Sequence, residues 1–254
     1  MSIHHETVHK NFEELLLDEQ LSLQINDPEL LRILTNFTDK EVVPYGNLSK
    51  KTRMMIILAS LIAMQTLDEY EIMLNRALNA DLTPIEVKEI VYQCVPYVGI
   101  AKVYDFLHAT NEILQDKGVE LPLPGQATTT PDTRYIKGLE VQKQIFGSAI
   151  DQMYAQSPKN QLHIQEYLSA NCFGDYYTRK GLDIKTRELL TFSIILSLGG
   201  CEPQLKGHIQ GNINVGNDKE TLLSAVTQLL PYIGYPRTLN AIRCLNEVIP
   251  EATE

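Results

Sequence analysis

The spacing of hydrophobic and polar residues is helical along most of the chain. Apolar residues recur every three to four positions, which places them on one side of an α-helix. Few windows alternate with a period of two, and β-hairpin turn signals are scarce. The pattern therefore predicts an all-α protein.

Helix-breaking residues divide these segments. Gly199-Gly200 is expected to end the helix through LTFSIILSL, and Pro203 suits the first turn of the next helix, which ends near Gly216. Asp218 is expected to cap a helix that Pro231 ends.

The first half has the same pattern. Thr83-Pro84 is expected to open a helix that ends before Pro96.

The chain contains an internal repeat. KKTRMMIILASLIAM (50–64) is similar to IKTRELLTFSIILSL (184–198), and IVYQCVPYVG (90–99) is similar to AVTQLLPYIG (225–234). The Thr-Arg pairs lie 134 positions apart and the Pro-Tyr pairs 135. Two anchors with nearly equal offsets indicate a tandem duplication.

A segment rich in Pro, Gly and Thr separates the halves and is typical of a linker. We expect a first domain at 1–117, a linker at 118–130 and a second domain at 131–254.

Charge and composition limit the partners. The net charge is −10, which argues against a non-specific nucleic-acid surface or an anionic-membrane surface. The N-terminus lacks the apolar core of a signal peptide, and the run LLTFSIILSL is too short to span a bilayer. We expect a cytoplasmic protein that acts on a small molecule.

Cysteine and histidine spacing predicts no metal site. The four cysteines form no CxxC pair, and a disulfide scaffold is not expected. His4, His5 and His9 are interpreted as a solvated terminus.

Cys201 and His208 are seven residues apart, so a helix would place them on one face. A reactive thiol with its base, an acid/base site and plain packing all remain open at this point.

The residues from 173 to 242 resemble the carboxymuconolactone decarboxylase family, and the first half resembles it loosely. The strongest motifs are the pair Arg187-Glu188, a histidine about twenty residues later, the following Asn/Gly cap and the sequence Tyr-x-Gly-x-Pro. The resemblance implies an all-helical fold that assembles as rings. For a duplicated chain we expect a homo-oligomer, most simply a trimer.

The family includes two chemistries. The alkylhydroperoxidase D branch is a thiol peroxidase that uses Glu, His and the motif CxxCxxxH. Cys201 and His208 match that motif, but Gln204 replaces its second cysteine. This departure argues against a two-cysteine peroxidase, because a second thiol must resolve the sulfenic acid.

The other branch is γ-carboxymuconolactone decarboxylase. When CO2 leaves the lactone substrate of that enzyme, the electron pair of the broken bond can flow through a C=C bond to the lactone carbonyl. No cofactor is therefore expected to accept it. The resemblance implies His208 as proton donor or oxyanion stabiliser and Glu188 as the residue that orients it. Arg187 is a candidate ligand of the substrate carboxylate, and a structural ion pair is the alternative for it. Further candidates for substrate binding are Gln204, Asn212, Tyr232, Arg237 and Arg179.

Three functions therefore remain in view. The first is a cofactor-independent carboxy-lyase, the second a thiol-dependent peroxidase or redox protein that uses Cys201, and the third a non-catalytic oligomeric binder. In the repeat register Met54 and Met73 replace Glu188 and His208, so we expect the first half to be catalytically silent.

Overall fold

The computed structural model describes residues 23–251, and His4, His5 and His9 lie outside this range. The described residues form two compact units, which divide between Tyr45 and Gly46. In the first unit, helix α1 (Pro28–Thr35) continues into a π-helical segment, Asn36–Val42.

The second unit is helical, and no strand occurs among its described residues. A π-helical segment occupies Leu168–Tyr177. The α-helices are α2 (Lys50–Met64), α3 (Leu67–Leu78), α4 (Pro84–Val98), α5 (Ile100–Asp116), α6 (Arg134–Phe146), α7 (Ala149–Gln156), α8 (Leu162–Tyr167), α9 (Ile184–Leu198), α10 (Glu202–Asn214) and α11 (Lys219–Val248). The prediction of an all-α fold is confirmed.

Side-chain caps start the main helices at the predicted residues. The Asp218 carboxylate accepts from the backbone N–H of Thr221 at 2.8 Å. Thr83 forms a reciprocal capping box with Glu86. Such caps satisfy N–H groups that a first helical turn leaves unpaired. Helix α9 ends at Leu198, directly before the predicted glycine pair.

The helices that contain Pro96 and Pro231 do not end where the sequence predicted. Each continues past its proline to a glycine with positive φ, Gly99 at 88° and Gly234 at 74°. A proline removes one backbone hydrogen bond, but the following turn still closes because Gly99 N–H donates to Val95 C=O at 2.9 Å. The glycine ends the turn because it adopts a backbone conformation that other residues avoid.

The equivalent helices α2 and α9 lie at the centre of the second unit and pack against each other. Both are buried on nearly all sides, and Ser60 and Ser197 share a buried hydrogen bond of 2.7 Å between them. Helix α4 of the first repeat also packs on α9, and α11 of the second repeat packs on α2. Each repeat therefore contributes a helix that packs against the central helix of the other repeat.

The first repeat is apolar at the positions equivalent to Glu188 and His208. Met54 and Met73 both lie in the hydrophobic core, with exposed fractions of 8% and 2%. This packing agrees with the expectation of a catalytically silent first half, which stays a prediction.

The segment between the repeats has no helix from 117 to 133. It is nevertheless fixed to the second repeat, because Thr128 Oγ1 donates to Thr178 C=O at 2.8 Å and Thr129 Oγ1 to Gly174 C=O at 3.1 Å. The domain bounds 1–117, 118–130 and 131–254 stay a prediction.

Across residues 23–251, the helices are all too short or too polar to cross a lipid bilayer.

Two glycines let α6 cross the π-helical segment closely. A Cβ atom on Gly138 would lie 1.9 Å from the carbonyl oxygen of Ser169, and one on Gly174 would lie 2.1 Å from that of Arg134. Backbone atoms on both sides leave little room to relax, so the crossing requires glycine.

We therefore expect Gly138→Ala to lower the free energy of unfolding by about 3 kcal/mol or more, because the added methyl separates the two elements. The matched control is Gly207→Ala in α10, where a Cβ meets no atom within 4 Å. That change should stabilise the protein by about 0.5–1 kcal/mol through helix propensity. Chemical denaturation of both variants is the measurement, and equal effects would contradict the close crossing.

Candidate active site

A cavity of about 580 Å³ contains His208, Cys201 and Gln204 in its wall. Cys201 is the N-cap residue of α10 and His208 lies within that helix, and both line the cavity, as their spacing predicts. The rest of the lining comes from α4, α6, α7, the π-helical segment, α9 and one further residue of α10, and it is mainly apolar. Its members are Pro96, Tyr97, Gln142, Phe146, Ala149, Ile150, Met153, Leu168, Cys172, Phe173, Ile195, Leu198 and Gly207.

The structure brings Glu188 and His208 together. Nδ1 of His208 lies 2.9 Å from Oε2 of Glu188, whose side chain is fully buried. A carboxylate only accepts, so we assign the proton to Nδ1. Nε2 then has no hydrogen-bond partner among the described residues, while the imidazole belongs to the cavity wall. The rings of Tyr97 and Phe146 contact it edge-on at centroid distances of 5.9 and 5.3 Å.

Tyr177 from the π-helical segment holds the other oxygen of Glu188. Its hydroxyl donates to Oε1 at 2.6 Å and lies 2.7 Å from Oγ1 of Thr191 and 3.1 Å from the hydroxyl of Tyr97. Burial, and then the negative charge of Glu188, raise the pKa of Tyr177 well above its usual value. Burial likewise raises the pKa of Tyr97. Both phenols therefore stay protonated and can act as donors.

A chain of buried donors extends from this hydroxyl to the first repeat. Gln93 Nε2 donates to Thr191 Oγ1 at 3.1 Å, and Arg187 Nη1 donates to Gln93 Oε1 at 2.9 Å. Thr191 can in turn donate to Tyr177, and Tyr177 donates to Glu188. Each hydrogen bond in the chain can thus be donated in the direction of the carboxylate. Such aligned chains strengthen each member by polarisation.

Arg187 does not reach the cavity. Its guanidinium is fully buried and pairs with Glu89 of the first repeat, with Nη2 2.8 Å from Oε2. The same nitrogen also donates to the carbonyl oxygen of Arg179 at 3.0 Å. Of the two alternatives for Arg187, the geometry therefore fits the structural ion pair and not a contact with a substrate carboxylate.

Asn212 lies behind the pair and does not line the cavity. Its Nδ2 donates to the backbone oxygens of Glu188 at 3.0 Å and of His208 at 2.7 Å, and so ties α9 to α10. A positioning role fits this geometry better than the predicted substrate contact.

Tyr232 and Arg237 also lie outside the lining of the cavity. Tyr232 packs against the main core. Arg237 contacts the sulfur of Met64 at 2.7 Å and lines a small separate crevice that reaches Cys201 from another side. The structure thus groups His208, Glu188, Cys201 and Gln204. Arg187 and Tyr232 lie outside this group, and Arg237 shares only the small crevice with Cys201.

The sequence analysis missed Tyr97, Tyr177 and Cys172. Tyr97 in the first repeat is equivalent to Tyr232 in the second, which was the predicted site residue. The repeat therefore indicated a tyrosine at this position, but the prediction placed it in the second repeat and the cavity uses the one in the first. Burial raises the pKa of Cys172 to about 12, and its thiol contacts the Tyr97 hydroxyl at 3.6 Å.

Between residues 23 and 251, no group of three or more His, Cys, Asp and Glu side chains is placed to hold a metal ion.

The donor chain predicts that Thr191 stabilises the buried carboxylate. Thr191→Val keeps the shape of the side chain but leaves Gln93 Nε2 without an acceptor, so the free energy of unfolding should fall by about 1–3 kcal/mol. Ser193→Ala on the same helix is the control, because Ser193 Oγ only donates to the carbonyl oxygen of Leu189 at 2.8 Å. Urea denaturation of both variants tests this, and an equal loss would contradict the donor chain.

Two relatives are similar to parts of this chain. A 4-carboxymuconolactone decarboxylase from Acinetobacter baylyi is 27% identical over 121 residues, which are 47% of this chain and 90% of that protein. An uncharacterized 15.0 kDa protein from Paracoccus denitrificans, named for the nqo9-nqo10 intergenic region, is 32% identical over 83 residues. The match covers 32% of this chain and 62% of that protein.

The family model of the carboxymuconolactone decarboxylase family matches the chain twice, at residues 28–112 and 163–247. The two matches correspond to the two repeats and together cover more than half of the sequence, and the second contains the buried pair Glu188 and His208. The chain belongs to the carboxymuconolactone decarboxylase family and is a tandem duplication within it.

Proposed function

We propose that the protein is a cofactor-independent carboxy-lyase for a small lactone or unsaturated carboxylate, with His208 as its acid/base group. The observation that supports this is the pairing of Nδ1 of His208 with the buried Glu188, 2.9 Å away, on the wall of an apolar cavity. This contact fixes the orientation of the imidazole ring and leaves Nε2 available to contact a substrate. The name of the decarboxylase from Acinetobacter baylyi agrees with this class of reaction.

In the proposed reaction the bond between the carboxylate carbon and the substrate breaks, and CO2 leaves. The electron pair of that bond stays on the substrate and moves through a C=C bond to the lactone carbonyl oxygen. Nε2–H of protonated His208 then donates its proton to carbon, and water restores that proton after the product leaves. Glu188 stabilises the imidazolium as its ion-pair partner, and a positioned acid of this kind contributes about 10²–10⁴-fold in rate.

The cavity favours loss of the carboxylate charge. Among the described residues, no lysine or arginine belongs to its lining. Transfer of a carboxylate from water into such apolar surroundings is unfavourable, whereas the transition state spreads the same charge over more atoms. The Gln204 amide and the N-terminus of α10, a helix of 13 residues, are the groups we propose to hold the carboxylate.

A thiol peroxidase is the second candidate, because Cys172 lines the same cavity as Cys201. In that reaction the thiolate of Cys201 attacks one oxygen of a hydroperoxide, the O–O bond breaks, and the other oxygen leaves as an alcohol after it takes up a proton from water. The sulfenic acid that forms on Cys201 must then condense with a second thiol to a disulfide, with loss of water. The pKa of Cys172 is raised to about 12 by burial, which disfavours it as that second thiol. A non-catalytic binder is the third candidate, since an apolar cavity can bind a small molecule without turnover.

We expect His208→Ala to lower the rate of CO2 release from γ-carboxymuconolactone by about 10²–10⁴-fold, because the proton donor is lost. Cys201→Ser should retain most of this activity. His108→Ala is the matched control, since His108 is exposed and outside the cavity. The assay follows CO2 release, with hydroperoxide reduction by a dithiol as a second arm.

The two arms separate the candidates. Peroxide reduction that is lost in Cys201→Ser would replace the lyase proposal by the peroxidase. No turnover in either arm, together with calorimetric binding of the lactone, would favour the non-catalytic binder.

We further propose that the protein is a homo-oligomer, most simply a trimer. Ile100 and Tyr104 on α5 are 57% and 53% exposed, and their repeat equivalents Tyr235 and Leu239 on α11 are 60% and 61% exposed. The same apolar pair thus occurs on both repeats, which suits a head-to-tail contact between the first repeat of one chain and the second repeat of the next. Such contacts close into rings when the rotation allows it.

Light scattering should therefore give the mass of three chains. The double variant Tyr104→Glu/Leu239→Glu should dissociate to single chains, because charge at a contact between apolar residues is costly. Lys102→Glu on the same helix is an exposed control and should remain assembled. A monomeric wild-type protein would contradict the proposal.

Cytoplasmic location stays a prediction from the sequence.

A further inference from the structure

A second cavity, of about 340 Å³, lies where α4, α5 and the segment between the repeats meet. It shares no lining residue with the cavity at His208. Nothing in the proposed lyase reaction uses it. Its polar lining residues include Lys88, Tyr92, Asn111, Gln126 and Arg179.

Two cations contact the ring of Tyr92 in this cavity. The Arg179 guanidinium carbon lies 5.0 Å from the ring centroid and the Lys88 ammonium 5.7 Å. Arg179 uses only Nε to bind Glu89, so both its Nη groups have no hydrogen-bond partner among the described residues. Lys88 donates to Asn111 and retains two further N–H groups. Unused donors therefore come from two neighbouring cations.

Positive charge exceeds negative charge at this place. The carboxylate of Glu89 is 1% exposed and is shared between Arg179 and Arg187, so it cannot also neutralise Lys88. Lys88 is partly buried, and the loss of hydration at its ammonium group lowers its pKa. A bound anion would compensate this loss. Such a surplus is notable in a chain with a net charge of −10.

The opposite wall of the cavity is apolar and fixed in place. It consists of residues 121–124. Two hydrogen bonds fix the chain that follows it: Lys180 N–H donates to Gln126 C=O at 3.1 Å, and Thr128 Oγ1 donates to Thr178 C=O. A preformed pocket with a few polar groups and apolar walls is typical of small-molecule sites. Cations on one side and apolar residues on the other fit an organic anion better than an inorganic one.

We propose that this cavity is a binding site for a small organic carboxylate. The carboxylate group lies between Lys88 and the Nη groups of Arg179, and the apolar part of the ligand packs against Leu123 and Pro124. Charge-assisted hydrogen bonds of this kind are stronger than those between neutral groups.

Isothermal titration calorimetry with benzoate tests the site, with inorganic phosphate as a second probe. We expect benzoate to bind the wild-type protein and to bind Lys88→Gln at least about tenfold more weakly, because the variant keeps a polar N–H donor but loses the charge. Lys102→Gln, at an exposed lysine on α5, is the matched control and should bind as the wild type does. Equal thermal unfolding of the two variants shows that the fold is intact.

Benzoate that bound all three proteins equally would be located elsewhere, for example at His208, and would overturn the proposal. Absence of benzoate binding to the wild type would also overturn it. Binding of phosphate without benzoate would overturn the assignment to an organic carboxylate. A loss confined to Lys88→Gln supports the proposal whether or not the lyase activity is found, so the two proposals fail independently.

Discussion

The arrangement of the second repeat depends on one buried carboxylate, that of Glu188. A carboxylate removed from water costs several kcal/mol unless donors replace its hydration. Here Tyr177 donates to one oxygen at 2.6 Å, and His208 contacts the other at 2.9 Å. The two donors come from different elements, the π-helical segment and α10, so the carboxylate fixes both elements against α9. The orientation of His208 is thus a consequence of how this charge is satisfied.

The duplication contributes to the same interaction. Gln93 and Tyr97 lie on α4 of the first repeat, and both connect to Tyr177 and Glu188 through hydroxyl groups. In the first repeat the equivalent of Glu188 is Met54, which needs no donors and packs as an ordinary core residue. The first repeat therefore has no equivalent of the buried pair Glu188 and His208, but it still supplies the helix α4 on which that pair depends.

The sequence predicted the fold class and the helix caps because both follow from local chemistry. It predicted the approach of Glu188 to His208 because α10 returns along α9 after the Gly199-Gly200 turn. It did not predict that Arg187 points away from Glu188, although neighbouring helical residues differ by about 100° in direction. It also selected Tyr232 in place of Tyr97. That choice depends on the packing of α4 across α9, a tertiary contact between repeats that no local pattern contains. Proline was likewise given too much weight as a helix stop, since the glycines end the turns.

One wall of the cavity comes from a part of the chain outside the two segments that the family model matches. Glu188 and His208 lie inside the second segment matched by the family model, 163–247. Gln142, Phe146, Ile150 and Met153 line the same cavity from α6 and α7, which lie between the two matched segments. A family shares a site through its reacting groups, whereas the wall that contacts the rest of a substrate can change independently. Since α6 is held by the glycine crossing at Gly138, the backbone contact that fixes this helix also fixes the wall beside His208.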